Sequence, residues 1–263
     1  LLQARSFDRS KTINDPTEPT HRNDIYGDLT TKADTNLAPP IPAATVVILK
    51  DSDDAEHGVE VLMLRKNSKI AFGGMWVFPG GRIDAEDYPA DGDIDVAARN
   101  AAARETLEEA GLTTAVDDFV LFAHWTPPAT TPKRFATWFF ATRTESDTPV
   151  IIDNGEILDH LWMSPAGALA RHKAGEIDLA PPTWLTLYQL SLHGAGQSIM
   201  AHFGSQPHKI YETRVVKNQA GMRVALWSGD AGYEPADPDV DGVRHRLLLA
   251  ESGFVFENTH EIY

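Results

Sequence analysis

The chain has 263 residues, ample for one sizeable core with an appendage. Its 38 acidic side chains against 23 Lys and Arg leave a formal net charge of -15. This argues against nucleic acid, whose affinity rests on neutralised phosphates, and against an anionic membrane surface. The lack of cysteine excludes disulfides, thiolate metal sites and cysteine nucleophiles and suits a reducing cytoplasm, and no apolar run approaches the roughly 18 residues of a membrane span.

Residues 1–40 are rich in Thr, Asp, Asn and Pro and keep no period of 2 or 3.6. They read as a loosely ordered arm, docked at most at Ile25, Tyr26 and Leu37. The β-branched run Ala44–Leu49 predicts a first strand, Lys50–Gly58 an acidic turn, and Val59–Arg65 the returning strand of a hairpin. A short strand over Trp76–Phe78 stops at Pro79-Gly80-Gly81. The acidic stretch from Asp84 to Asp95 contains Pro89 and Gly92 and cannot be helical throughout. Val96–Ala110 predicts the clearest helix, with Asp95 as N-cap, Leu107 on its apolar stripe and Gly111 as C-cap. Strands are expected over Phe119–Trp125 and Arg134–Thr142, with Pro127, Pro128 and Pro132 between them. A strand over Ile157–Trp162 and a short helix over Ser164–His172 follow. Pro181-Pro182 marks a second boundary. Beyond it, Thr183–Phe203 has helical periodicity broken at Gly194 and Gly196, and Ile210–Val216, Arg223–Trp227, Arg244–Leu249 and Phe254–Phe256 read as strands.

Chemistry concentrates in Arg104-Glu105-Thr106-Leu107-Glu108-Glu109-Ala110-Gly111-Leu112. On a helix, Glu105, Glu108 and Glu109 are related as i, i+3 and i+4 and share one face. Like charges so placed repel by a few tenths of a kcal/mol per pair. A cluster that costs stability points to cation binding, and hard oxygen ligands without His or Cys point to Mg²⁺ or Mn²⁺. A solvated acidic helix face is the alternative reading of these three residues alone.

The flanks decide between them. Gly81, five residues, Asp87, sixteen residues, then Arg104-Glu105 through Gly111-Leu112 resembles the Nudix box. The chain departs from the family pattern in three places. Asp87 stands where the family has Glu, the Asp87–Arg104 loop is nine residues longer than the family's seven, and Thr106 occupies a usually aliphatic position. The resemblance implies an α/β fold, the Nudix α/β/α sandwich with a mixed sheet, over residues 41–180. A C-terminal extension of helix and strands, 181–263, is expected to pack on it as a cover over the site or as a dimer contact.

The resemblance also implies roles. Glu105, Glu108 and Glu109 match the family's metal-ligand glutamates, and the Gly81 carbonyl matches a backbone ligand. Arg104 matches the arginine that ties the box to a loop carboxylate, here Asp87 or Glu86. The general base is Glu105 or a glutamate beyond the box, for which Glu156 is the candidate. Such an enzyme is a hydrolase of acid anhydrides in phosphorus compounds, a Nudix diphosphatase. It acts on a nucleoside diphosphate linked to another moiety. In an acidic protein, divalent ions would reverse the local sign for that substrate.

Val61–Ser68 followed by Phe72–Gly81, with Thr130–Phe135 and Leu179–Trp184, resembles the acyl-CoA diphosphatase branch, which favours CoA or acyl-CoA. Arg65, Lys66, Lys69, Arg82, Lys133 and Arg134 form the positive minority near the site. Arg65, Arg82, Lys133 and Arg134 are the candidate substrate contacts, for a diphosphate or a 3′-phosphate, and Lys66 is a further candidate for the 3′-phosphate. Trp76, Trp125 and Trp138 could stack an adenine, although strand positions favour core packing. Two other readings stay open: a Nudix hydrolase of ADP-ribose, a dinucleotide or NADH, and a Nudix-fold binding module without catalysis. Asp237–Gly242 copies the start of an EF-hand loop, but Leu248 stands where a bidentate Glu is needed, so it reads as an acidic turn.

Overall fold

A computed structural model describes residues 21–27, 39–52, 58–69, 71–131, 133–145, 148–260 and 263. The expected arm before residue 21, Leu37, the middle of the acidic turn at 53–57 and Pro132 lie outside these residues. The fold is a mixed α/β architecture. Twelve strands are described: β1 (Ile41–Asp51), β2 (Val59–Lys66), β3 (Trp76–Val77), β4 (Gly80–Arg82), β5 (Val120–Thr126), β6 (Phe135–Arg143), β7 (Ile157–Met163), β8 (Lys209–Glu212), β9 (Arg214–Lys217), β10 (Arg223–Leu226), β11 (His245–Ala250) and β12 (Gly253–Asn258). The helices are α1 (Ile94–Ala110), α2 (Pro165–Lys173), α3 (Pro181–Ser191) and α4 (Gly196–Ser205).

The main sheet runs β3-β2-β1-β6-β5-β8, with β4 added to β1 and β7 to β2. It is mixed: β1–β6 and β5–β8 are parallel, and β1–β2, β1–β4 and β5–β6 are antiparallel. Alternation along β1 divides two cores. Ala44, Val46 and Ile48 face the α1 side with Ala97, Ala98, Ala101, Ala102 and Phe140. Val47 and Leu49 face the other side with Phe122, Phe139, Leu185, Leu190 and Tyr26. The second sheet, β12-β11-β10-β9, is antiparallel. It meets the main one at Trp227, just after β10, which stands edge-on to Trp125 of β5 at 5.5 Å and to Tyr211 of β8 at 5.4 Å.

Several local expectations change. The run expected as one strand over Ile210–Val216 breaks at Thr213 into β8 and β9, which belong to different sheets. β4 is an added strand, because Gly80 and Gly81 pair with Thr45 and Ala44 of β1. Pro181 and Pro182 open α3 at its first turn, where a missing N–H costs nothing. α1 begins at Ile94, with Asp93 rather than Asp95 as its cap: the Asp93 carboxylate accepts from Asp95 N–H and Val96 N–H. Leu107 is 53% exposed, and the buried stripe is Ala97, Ala98, Ala101, Ala102, Thr106, Glu109 and Ala110. Alanines allow the helix to lie close on the sheet. Thr106 is tolerated there because its hydroxyl donates to Ala102 O at 2.7 Å. Asp237–Gly242 is a turn, and Leu248 lies in β11.

Candidate active site

The site is built where the C-terminal half of α1 crosses the Pro79-Gly80-Gly81 turn. β1 holds the turn from below. Thr45 Oγ1 donates to Pro79 O at 2.6 Å, and Val46 N donates to the same oxygen at 3.0 Å. From above, Gly80 N–H donates to Glu109 Oε2 at 3.0 Å. Gly81 and Glu105 are in close approach: a Cβ on Gly81 would lie 2.3 Å from Glu105 Oε1. Only glycine leaves room for that carboxylate.

Arg104 is the tie. Its Nε and Nη2 fork onto Asp87 Oδ1 and Oδ2 at 3.0 and 2.8 Å. Nη2 also donates to Arg82 O at 3.0 Å, and Nη1 to Glu105 Oε1 at 2.9 Å and Glu108 Oε2 at 3.2 Å. Asp87 closes a short 3₁₀ turn (Ala85–Asp87), and its Oδ2 accepts from Asp84 N–H at 2.8 Å. The long loop therefore leaves the sheet after β4, turns once to place Asp87, and loops out again before Asp93. Burial works to raise the Asp87 pKa, but the Arg104 hydrogen bonds, the Asp84 N–H and the Arg104 charge together outweigh it and hold the carboxyl below the usual range. Hydrogen bonding to Asp87 raises Arg104 in turn.

The three box carboxylates sit at different depths. The Glu109 side chain is 4% exposed and that of Glu108 56%, with Glu105 between them. Burial pushes the Glu109 pKa up to about 7, against the pull of Lys66 and the Gly80 N–H. Burial also raises Glu105, opposed by Arg104. Among the described residues no three His, Asp or Glu side chains converge as a ready-made cation cage. The carboxylates are instead interlocked with two cations, Arg104 on one side and Lys66 on the other. The donor set still fits a hard divalent cation. It consists of oxygens only, and the space a Gly81 Cβ would fill holds a carboxylate beside the turn's backbone.

Glu156 comes to the same place from a different element. Asp153 accepts from the N–H groups of Gly155, Glu156 and Ile157 at 3.1, 2.8 and 2.9 Å, and this turn aims Glu156 at Lys66, 3.6 Å away. Arg65 lies 3.7 Å from Asp159 and Arg82 4.0 Å from Asp84, both well exposed. Lys133 stands over the Phe135 ring at 5.4 Å. Arg134 O accepts from Ile41 N–H at 2.8 Å, which places Arg134 at the end of β6, one strand from β1 and two from β4. Of the tryptophans, Trp76 and Trp125 are core residues, and the Trp138 indole donates to Asp95 at 3.2 Å. His124 packs edge-on against Trp138 at 4.4 Å, and its buried Nε2 has no hydrogen-bond partner among the described residues.

Three features of the site go beyond the sequence reading: the inward pairing of Lys66, the role of Thr45 and the Phe72–Phe135 pair. Lys66, expected among the cations near the site as a candidate phosphate contact, has a side chain only 13% exposed that pairs with Glu109 and Glu156. Strand alternation from Arg65 is the signal that would have separated an inward from an outward cation. Thr45 carries no sequence signal for its role beneath the turn. Phe72, with φ 59°, and Phe135 pair at 6.3 Å.

A profile of the NUDIX domain matches residues 39–183. A Caenorhabditis elegans protein named "Putative nudix hydrolase 7" is 24% identical over 167 residues, half of this chain, and the match spans 55% of that relative's length. The crystal structure of a NUDIX hydrolase from Alicyclobacillus acidocaldarius superposes with a TM-score of 0.56 at 23% identity, covering 65% of this chain and 99% of that one. A profile match over more than half the residues, on a mixed α/β fold of the same kind, makes this chain a member of the NUDIX domain family.

Proposed function

We propose that the chain is a Mg²⁺- or Mn²⁺-dependent hydrolase that cleaves the diphosphate of a nucleoside diphosphate linked to another moiety, with CoA or acyl-CoA the favoured class. The observation that supports this most is the approach of Glu105 and Glu109 to the Gly80-Gly81 turn, with Glu108 on the same helix face. Glu105, Glu108, Glu109 and the Gly81 carbonyl would hold the ion. Bound there, it would offset the charge of a diphosphate and activate a water. Arg104 keeps the Glu105 and Glu108 carboxylates oriented while its other edge is anchored on Asp87. Glu156, exposed and reached only by Lys66 among the described ion pairs, offers a carboxylate to take the proton of an attacking water, and Glu105 is the alternative base.

Substrate contacts are assigned to Arg65, Arg82, Lys133 and Arg134. The Phe72–Phe135 pair beside Lys133 offers a stacking surface for a nucleobase. CoA differs from ADP-ribose and NADH by a 3′-phosphate, which needs a cation to offset its desolvation. The test is formation of the two phosphomonoester products from CoA, dephospho-CoA and ADP-ribose, and of the cleavage products of NADH and a dinucleoside polyphosphate, with and without Mg²⁺ and Mn²⁺. CoA should exceed dephospho-CoA by about tenfold or more in kcat/KM. Equal rates on the two would remove the CoA assignment and leave the metal-dependent hydrolase. No turnover of any compound would favour a binding module.

A further inference from the structure

Lys66 ends β2, where the register against β7 shifts: Arg65 pairs with Asp159, but Lys66 pairs with Ile157. Alternation along β2 puts Lys66 on the α1 face with Leu62 and Leu64, opposite to Arg65. Arg65 stays at the surface beside Asp159, and Lys66 turns inward. Its backbone is fixed on both sides, because Lys66 N–H donates to Met75 O and Lys66 O accepts from Gly74 N–H. The ammonium ends 3.1 Å from Glu109 Oε1 and 3.6 Å from Glu156 Oε2. Glu105 also acts on it electrostatically. A single monovalent cation thus lies among three carboxylates, two from α1 and one from the turn before β7. These include two of the residues assigned above to the metal.

We propose that Lys66 is a resident counter-ion of the metal site, which holds its carboxylates together without metal and must release Glu109 for a divalent ion to bind. The proposal rests on the metal-dependent reading above. Its physical basis is that a buried carboxylate cannot stand uncompensated, so Glu109 needs a cation beside it whenever it is ionised. In the described arrangement both Glu109 oxygens are engaged, one by Gly80 N–H and one by Lys66. The Gly80 bond fixes the carboxylate in place, and the Lys66 bond is the exchangeable one. Lys66 therefore sets how much Mg²⁺ or Mn²⁺ is needed to load the site, and it keeps the unloaded site folded.

The test uses Mn²⁺ alone, titrated calorimetrically into the full chain and into Lys66→Met, together with melting curves in chelator. Lys66→Met should bind Mn²⁺ on the order of tenfold more tightly, because a like charge has left the site. It should melt lower than wild type in chelator, and the gap should narrow in saturating Mn²⁺. Equal or weaker Mn²⁺ binding by the variant would overturn the proposal while leaving the metal site intact. No Mn²⁺ binding by wild type would instead overturn the metal reading, and this proposal with it. A second measurement needs no variant: acetylation of Lys66 in wild type, followed by mass spectrometry. Mn²⁺ should raise its rate severalfold as the ammonium leaves Glu109, and an unchanged or lower rate would overturn the release step.

Discussion

A Cβ built on Gly81 would lie 2.3 Å from Oε1 and 2.4 Å from Cδ of Glu105, whereas one on Gly80 would lie 2.4 Å from the Ala44 carbonyl oxygen and 2.7 Å from Thr45 Cα. Neighbouring glycines of one turn thus meet different kinds of obstacle. The Glu105 carboxylate is the end of a flexible side chain and can swing away. The β1 backbone cannot.

Gly81→Ala should therefore fold normally, with a melting temperature within a few degrees of wild type, and lose on the order of 100-fold in metal-dependent turnover as Glu105 is displaced. Gly80→Ala should lose about 2–4 kcal/mol of stability, since sheet pairing or strand position must give. Melting curves and turnover on the two purified variants check this. A Gly81→Ala enzyme with wild-type turnover would show that the close approach of Glu105 has no part in the chemistry.

Glu109→Gln separates repulsion from pairing. Counting only the helix, removal of one of three neighbouring negative charges should stabilise the metal-free protein by a few tenths of a kcal/mol. The buried pair with Lys66 reverses that sign. A glutamine oxygen can still accept from Gly80 N–H, but Lys66 loses its nearest carboxylate. Metal-free stability should fall by about 1–3 kcal/mol, and metal-dependent turnover should drop to background. A variant as stable as wild type in chelator would mean that the Lys66–Glu109 contact contributes nothing net.

The box and its setting were legible because local rules and chemistry agree there. Spacing put three carboxylates on one face, and Gly111 was recognisable as the stop, with φ 67°. The errors have a common origin in tertiary context. Leu107 was assigned to the core because it is the most apolar residue of its turn, but the sheet is met by a stripe of alanines too small to register as amphipathic. Asp93 and Asp95 are equivalent as caps by composition. Asp95 is drawn off to Trp138, and Asp93 closes the first turn. β4 escaped notice because a Gly-Gly-Arg strand has no side-chain pattern, and only pairing with β1 makes it one. Lys66 was legible as a cation near the site, but its pairing with Glu109 was not, because nothing in the chain near it says that α1 will come within 3.1 Å.

Asp87 is the hinge pin of the lengthened loop. It is 5% exposed, receives both arms of the Arg104 fork and accepts the Asp84 N–H. Asp87→Ala would leave Arg104 without its main partner and is expected to cost about 3–5 kcal/mol, with Asp87→Glu costing less because the charge stays. Turnover should fall as well, since Arg104 also holds Glu105 and Glu108. By contrast, removing residues from the exposed turn at 90–92, short of the Asp93 cap, should cost under about 1 kcal/mol. Denaturant unfolding of the three proteins gives the ranking, and a turn deletion as damaging as Asp87→Ala would contradict it.

The last prediction concerns acid stability and involves no site residue. His172 of α2 is 4% exposed, and its Nε2 meets Asn23 Oδ1 at 2.9 Å, so the neutral ring donates there. Phe254 and His21 pack on it at 5.2 and 5.3 Å, and the charges facing it are Arg22 and Asp178. Burial, with help from His21 and Arg22, lowers its pKa from 6.5 to about 4. The unfolded chain therefore binds a proton between pH 6.5 and about 4 that the folded chain refuses. Stability from this residue is complete above pH 6.5 and is lost as pH falls towards 4. The loss should amount to about 1–3 kcal/mol, or roughly 3–10 °C in melting temperature for a chain of this size. Glu109, raised to about 7, and Glu105, also raised, act with the opposite sign, so the wild-type curve alone does not isolate the effect. The difference between wild type and His172→Gln does. Glutamine can still donate to Asn23 but cannot be protonated. The variant should start less stable at pH 7.5 and lose less on going to pH 4.5, so the two curves converge in acid. Parallel curves across that range would show that His172 takes up its proton in the folded protein as readily as in the unfolded one.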